Sequence, residues 1–202
     1  IYAYLTERSG NLLGVDLSNA NRSQATVISS GMTAPHQIAL DEARGHAYVV
    51  EYARPGRLLR IDLSTGSQTA LVSDLDGAIG LLMTDDLQFA YVSEQTTAGG
   101  QISRIEINTG RRELLVNGLD NPFFLTWADP GEAGILTTER DPANRISLID
   151  LTQTPVTFTP ITSGVPGRPS SVAVVTPERL LLCSDSVLSE QDLTGSVYQA
   201  AG

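Results

Sequence analysis

Apolar residues recur along this chain in runs of five to seven, alternating with polar ones or unbroken, and Gly, Asn, Ser or Pro separates each run from the next. That pattern marks short antiparallel strands. The first group spans residues 2–7, 11–17 and 24–29, and the second 37–40, 47–51, 57–63 and 68–72. A third spans 80–83, 90–94, 101–107 and 112–116, and a fourth 124–127, 135–139, 145–151 and 156–161. A fifth begins at Ser171 and fades near Ala201. No window keeps apolar residues at i, i+3, i+4 and i+7 for three turns, so no helix is expected.

The groups are copies of one unit of four strands, called a to d in chain order. The acid that ends strand b falls at Glu7, Glu51, Glu94, Glu139 and Asp185, at intervals of 44, 43, 45 and 46. The acid of strand c falls at Asp16, Asp62, Glu106 and Asp150, at intervals of 46, 44 and 44. A four-stranded repeat of this length predicts an all-β propeller, in which twisted sheets pack face to face around an axis and leave only short edges. The whole chain is expected to be one such domain, with blades at about 1–32, 33–75, 76–119, 120–165 and 166–202. Gly66 and Gly110 stand where a hairpin with a bulge needs positive φ between strands c and d. Pro35, Pro122 and Pro169 are expected just before strand a, where the missing amide leaves no ladder partner unmatched. With strand a lacking in the first blade and strand d in the last, the expected total is 18 strands, about 4.5 blades.

AYLTE, AYVVE and AYVSE at residues 3–7, 47–51 and 90–94, the Arg/Gly-Ile/Val-Asp/Glu-Leu/Ile of strand c, and the Gly-Leu-x-x-Pro lead-in with QIALD resemble the YWTD and NHL type of β-propeller. Lactonase-like propellers share much of this pattern. The resemblance implies a six-bladed ring, which at this repeat needs roughly 264 residues, so the rest comes from further chain or from a partner. It also implies, on the lactonase side, a divalent ion held on the axis by Glu, Asn and Asp. That set has no matching positions in this sequence, so no metal and no cofactor is expected.

Composition narrows the classes. With 202 residues, 41% hydrophobic and 18% charged, the chain can bury a sizeable core. Its 13 cationic side chains, all arginine, face 23 carboxylates, and the net charge of -10 repels phosphate backbones, so no nucleic-acid partner is expected. No apolar run reaches a membrane span. Cys183, the only cysteine, excludes an internal disulfide and shares a column with Leu5, Val49, Val92 and Thr137, which predicts a buried small side chain. Trp127, in strand a, is expected in the packing between blades.

Two sets of positions are candidates for function. The acids Glu7, Glu51, Glu94, Glu139 and Asp185 recur in every blade, so they are expected to serve structure, each accepting backbone amides. The position after the lead-in proline should lie nearest the axis, and it varies: His36, Ile79, Phe123 and Ser170. Variation is what a ligand funnel needs, each blade contributing a different group. Arg168 beside Ser170, together with His36, suits an anion or acid–base work. The expected function is a non-enzymatic binding or assembly scaffold, extracellular or periplasmic, with a protein partner or self-association and room for a small ligand at the axis. The alternative is a lactonase-like hydrolase or lyase working at the same funnel.

Overall fold

A computed structural model of the protein describes residues 2–18, 24–165, 167–176, 179–184, 188–192 and 197–199. It holds 19 strands in five separate antiparallel sheets, each in simple up-and-down order. Blade 1 has β1 (Tyr2–Glu7), β2 (Asn11–Asp16) and β3 (Ala25–Ser29). Blade 2 has β4 (Pro35–Asp41), β5 (His46–Glu51), β6 (Gly56–Asp62) and β7 (Gln68–Leu75). Blade 3 has β8 (Ala78–Met83), β9 (Phe89–Thr96), β10 (Gly99–Glu106) and β11 (Arg112–Leu119). Blade 4 has β12 (Pro122–Trp127), β13 (Gly134–Glu139), β14 (Arg145–Asp150) and β15 (Thr157–Pro160). Blade 5 has β16 (Pro169–Thr176), β17 (Arg179–Ser184), β18 (Leu188–Asp192) and β19 (Val197–Gln199). The chain is a partial β-propeller.

The core lies between blades. Leu12 and Met32 meet Val49, Leu59 and Ile61; Leu58, Val72 and Leu75 meet Leu81, Val92 and Ile105. Tyr91, Ile102 and Val116 meet Leu125, Ile135 and Ile149, and Leu136 and Ile146 meet Val172, Leu180 and Leu182. Each such side chain removed from water contributes about 1.5–3 kcal/mol, so the blade faces, not the strand edges, hold the ring segment together. At one point the approach is closer than any side chain allows: a Cβ on Gly80 would lie 2.3 Å from the carbonyl oxygen of Phe123 in the next blade. The c–d turns close through Gly66 (φ 73) and Gly110 (φ 69), whose amides each donate 2.8 Å to the carbonyls of Asp62 and Glu106. The Asp62 carboxylate, accepting from Ser64 and Thr65, is held down at a pKa of about 2.

Three expectations need correction. The fifth sheet carries a fourth strand, β19, where three were expected; its residues share none of the markers that made the earlier copies visible. Pro35, Pro122 and Pro169 are the first residues of strand a, paired with Glu51, Glu139 and Ser184, and do not precede it. Cys183 is exposed, not buried. In β17 the buried residues Leu180, Leu182 and Ser184 face blade 4, while Arg179, Leu181 and Cys183 point to the side on which this chain places no blade. Leu5, on the face of blade 1 turned away from blade 2, is 41% exposed because this chain places no blade on that side either.

Candidate functional site

The start of strand a is irregular in every blade that has one. Pairing runs from Pro35↔Glu51 to Ile38↔Val49, from Ala78↔Glu94 to Leu81↔Val92, and from Pro122↔Glu139 to Leu125↔Thr137. Each interval sets two residues against one, which is a β-bulge that re-aims the side chains at the inner edge. The first bulged residue is His36, Ile79 or Phe123. In blade 5 the shift falls between Pro169↔Ser184 and Ser171↔Cys183, so Ser170 alone is extra. Its hydroxyl turns into its own blade and donates 3.0 Å to the carbonyl of Cys183.

The repeat acids fix this lead-in. Just before each bulge stands a residue in the left-handed region, Ala34 (φ 44), Gly77 (φ 68) or Asn121 (φ 43). Its carbonyl accepts the amide of the residue after the acid: Tyr52, Gln95 and Arg140 at 3.1, 3.0 and 3.2 Å. The acid itself accepts the amide one position upstream, from Thr33 to Glu51 (2.7 Å), Asp76 to Glu94 (2.8 Å) and Asp120 to Glu139 (2.6 Å). All three acids are fully buried, and each meets an arginine: Glu51 with Arg57 (2.5 Å), Glu94 with Arg112 (2.8 Å) and Glu139 with Arg145 (2.8 Å). The left-handed turn, strained at Ala34 and Asn121 and unstrained at Gly77, is thus held by a charge-assisted clamp, and the held segment aims the axial side chain. Among the described residues Glu7 meets no arginine, and it accepts from Asn11 (2.9 Å) and Ser9 (3.2 Å). Asp185 lies outside the described residues.

The result is a 310 Å³ cavity on the axis. One column of its lining is His36, Ile79 and Phe123; the second is Arg8, Tyr52, Gln95 and Arg140, one residue past each repeat acid. Asn121 and Arg168 complete it, and Ser170 does not reach it. The second column was open to the same argument as the first, since Arg, Tyr, Gln and Arg stand beside an acid that repeats. The rings gather around the histidine, with His36 edge-on to Tyr52 at 5.7 Å and to Phe123 at 5.8 Å. The Arg140 guanidinium lies 3.8 Å over the Phe123 ring and donates 3.2 Å to the carbonyl of Pro169. Arg168 pairs with Asp141 at 2.9 Å on the rim.

Burial, then the charges of Arg8 and Arg140, lowers the His36 pKa from 6.5 to about 4. His36 is therefore neutral at pH 7. Because the unfolded chain takes up this proton first, stability present above pH 6.5 is lost as pH falls toward 4. With only two histidines, ring-proton NMR resolves the titration. A midpoint near 4 is expected for His36, rising only part of the way to 6.5 in an Arg8→Gln/Arg140→Gln variant because burial is the larger cause. A wild-type midpoint near 6.5 would contradict this account.

Among the described residues no carboxylate lines the cavity, and no three His, Cys, Asp or Glu side chains are grouped to hold a metal ion. The three guanidiniums and the imidazole among these lining residues are not the Glu, Asn and Asp set that the lactonase-like resemblance implies. At the far end of strand a the charge reverses, and Asp85, Asp129 and Glu132 flank a second cavity of 560 Å³. Trp127 lines that end, packed edge-on to Tyr91 at 5.5 Å with its Nε1–H donating 3.2 Å to the carbonyl of Met83. No helix among the described residues is long and apolar enough to cross a membrane.

No known protein-family profile matches the chain, and no curated protein matches it. Solved structures do. A chain of a nidogen/laminin complex superposes with a TM-score of 0.81 at 15% identity, over 98% of this chain and 76% of that one. The fold is that of the YWTD-type and lactonase-like β-propellers. A gluconolactonase from Xanthomonas campestris matches with a TM-score of 0.80 at 15% identity, over 98% of this propeller chain and 70% of that one. An auxiliary nutrient binding protein from Bacteroides thetaiotaomicron matches with 0.76 at 14% identity, and there this chain spans 54% of the other's length. Propellers similar to this one thus include both binding proteins and an enzyme.

Proposed function

We propose that this propeller chain is a non-enzymatic binding scaffold, extracellular or periplasmic, that takes a small molecule in the axial funnel. One observation carries the reading: all five blades place non-repeating side chains in a single cavity, Arg8 from the first through Arg168 from the fifth. A structural task would repeat with the blades, and this lining does not. Its volume sits at the low end of the roughly 300–1,000 Å³ usual for small-molecule pockets. Binding is favoured over catalysis because a base with a pKa near 4 is poorly matched to proton transfer at neutral pH, and among the described residues no nucleophile paired with a base lines the cavity. The likeness to a chain of the nidogen/laminin complex supports a protein partner or self-association for the outer surfaces, which light scattering on the purified chain tests.

The His36 ring resonances report occupancy of the funnel directly. Across a panel of sugars, sugar acids, aromatic acids and amines, at least one compound is expected to shift them saturably, and Ile79→Trp, which fills the cavity, should abolish that shift. A panel with no such compound would overturn the reading. Hydrolysis of gluconolactone that disappears in His36→Ala would replace it with the lactonase-like one.

A further inference from the structure

We propose that the end of the axis opposite the funnel docks a basic segment of a partner protein, with cationic side chains set between apolar ones; this names an occupant for one outer surface and does not depend on what the funnel holds. Gln37 ties the innermost strands of blades 2, 3 and 4 between the two ends. Beyond it lie two cavities of 560 and 510 Å³, and Trp127 and Asp85 line both. Their walls are largely aliphatic, with Ala173 and Val174 in the first and Leu40, Leu82 and Leu87 in the second. Together they form an apolar groove on either side of a half-buried indole.

The a–b turns that rim this groove carry acids of two kinds. Asp41, Asp86 and Asp129 each accept an amide of their own turn, from Arg44 (3.1 Å), Gln88 (2.9 Å) and Gly131 (2.8 Å), so they shape the turns. Glu42, Asp85 and Glu132 do not. Among the described residues the Glu42 and Asp85 carboxylates have no hydrogen-bond or ion-pair partner, and Glu132 engages one oxygen, Oε1, with the Asp85 amide at 2.6 Å. Elsewhere the chain matches its acids: Glu51, Asp76, Glu94 and Glu139 each meet an arginine. Among the described residues no cationic side chain lines either cavity.

Charge complementarity therefore selects a cationic occupant. A second copy of this chain, itself at -10, is repelled. Tryptophan is the best ring for a cation, and Asp85 stands beside it in both walls. Two cavities side by side suit an extended segment better than a lone amine, which would fill only one. Apolar side chains of the segment then lie against the leucines and valine while its cations reach the carboxylates at the rim.

Trp127, the only tryptophan, reports occupancy through its fluorescence. A capped peptide alternating leucine and arginine is expected to change that emission saturably. It should bind at least ten-fold more tightly than the same peptide with citrulline, which keeps the shape of arginine without its charge. Asp85→Asn/Glu132→Gln should lose that preference. Asp74→Asn/Glu113→Gln, which removes equal charge from exposed acids on outer strands, should keep it. Should the first pair fail to fold, Asp85→Asn alone must weaken the arginine peptide at least three-fold. No saturable change, equal binding of the citrulline peptide, or equal loss in both double variants overturns the proposal. So does a serine-for-leucine peptide that binds as tightly, since the groove would then contribute nothing. Butylamine as tight as the peptide makes the occupant a small cation, and emission that depends on protein concentration alone makes it a second copy; either overturns the docked segment. A peptide that moves the His36 resonances and not Trp127 lies in the funnel, which overturns this inference and leaves the funnel reading standing.

Discussion

Glu94→Gln is expected to lower the stability of the propeller by about 3–5 kcal/mol, because it leaves the guanidinium of Arg112 with only the exposed Asp74, 3.9 Å away, as counter-charge. Glu94 is completely buried and accepts from Arg112 through both oxygens at 2.8 and 2.9 Å. It also accepts from Ser103 Oγ (2.8 Å), Gln101 Nε2 (3.0 Å) and the Asp76 amide (2.8 Å). A glutamine keeps the shape but forces one of these donors to face an NH₂. For a chain of this size the loss corresponds to a fall in melting temperature of roughly 6–20 °C. The double variant Glu94→Met/Arg112→Met should recover most of it, since replacing a whole buried pair with apolar groups is often nearly neutral. Glu7→Gln, at the equivalent position of blade 1 with no arginine partner among the described residues, should cost less than about 1 kcal/mol. Urea titrations of the four proteins decide the matter. If Glu94→Gln melts with the wild type, or Glu7→Gln is as damaging, the clamp is not what these acids contribute.

That contrast shows what a repeat makes legible. The strands, the blade order and the burial of Val49, Val92 and Thr137 follow from columns that recur every 43 to 46 residues, because each blade solves the same packing problem with the same pattern. The acid column was equally visible, but its partners were not. Opposite Glu139 stands Arg145, whereas opposite Glu94 stands Gln101, and the arginine arrives instead from Arg112 on the next strand. Side-chain reach across strands permits that exchange without leaving a mark in the spacing. Exposure of Cys183 escaped the column argument because blade 5 breaks the acid marker: Pro169 pairs with Ser184 where Pro35 and Pro122 pair with Glu51 and Glu139, so Leu182 takes the place of Val49 and Cys183 falls on the opposite face. The axial position was readable as the column that refuses to repeat. Ser170 left it because the bulge in blade 5 is one residue shorter, a register detail set by pairing with β17.

Gln37 lies beyond any reading of spacing, and its replacement is the second large effect expected. The Gln37 side chain leaves β4 and crosses the axis, accepting from the Leu81 amide at 2.9 Å and from the Leu125 amide at 3.4 Å. Its Nε2 donates 3.2 Å to the carbonyl of Leu125, 88 residues away in sequence. One amide therefore ties the innermost strands of blades 2, 3 and 4, whose inward-facing N–H and C=O groups have no further strand to pair with. Gln37→Met keeps the volume and removes all three bonds. The cost is expected at about 2–3 kcal/mol, mostly from the stranded Leu81 amide. Hydrogen exchange should localise the effect, with protection lost at Leu81 and Leu125 and kept at buried strand amides such as Leu58 and Ile149. Trp127, the single tryptophan, bonds across the same blade 3–4 junction and gives a fluorescence signal for its opening. Uniform loss of protection across all blades would mean that Gln37 contributes only general stability. Since His36 precedes it on the same bulge, a local opening should also move the His36 titration toward 6.5, coupling the floor of the funnel to its lining.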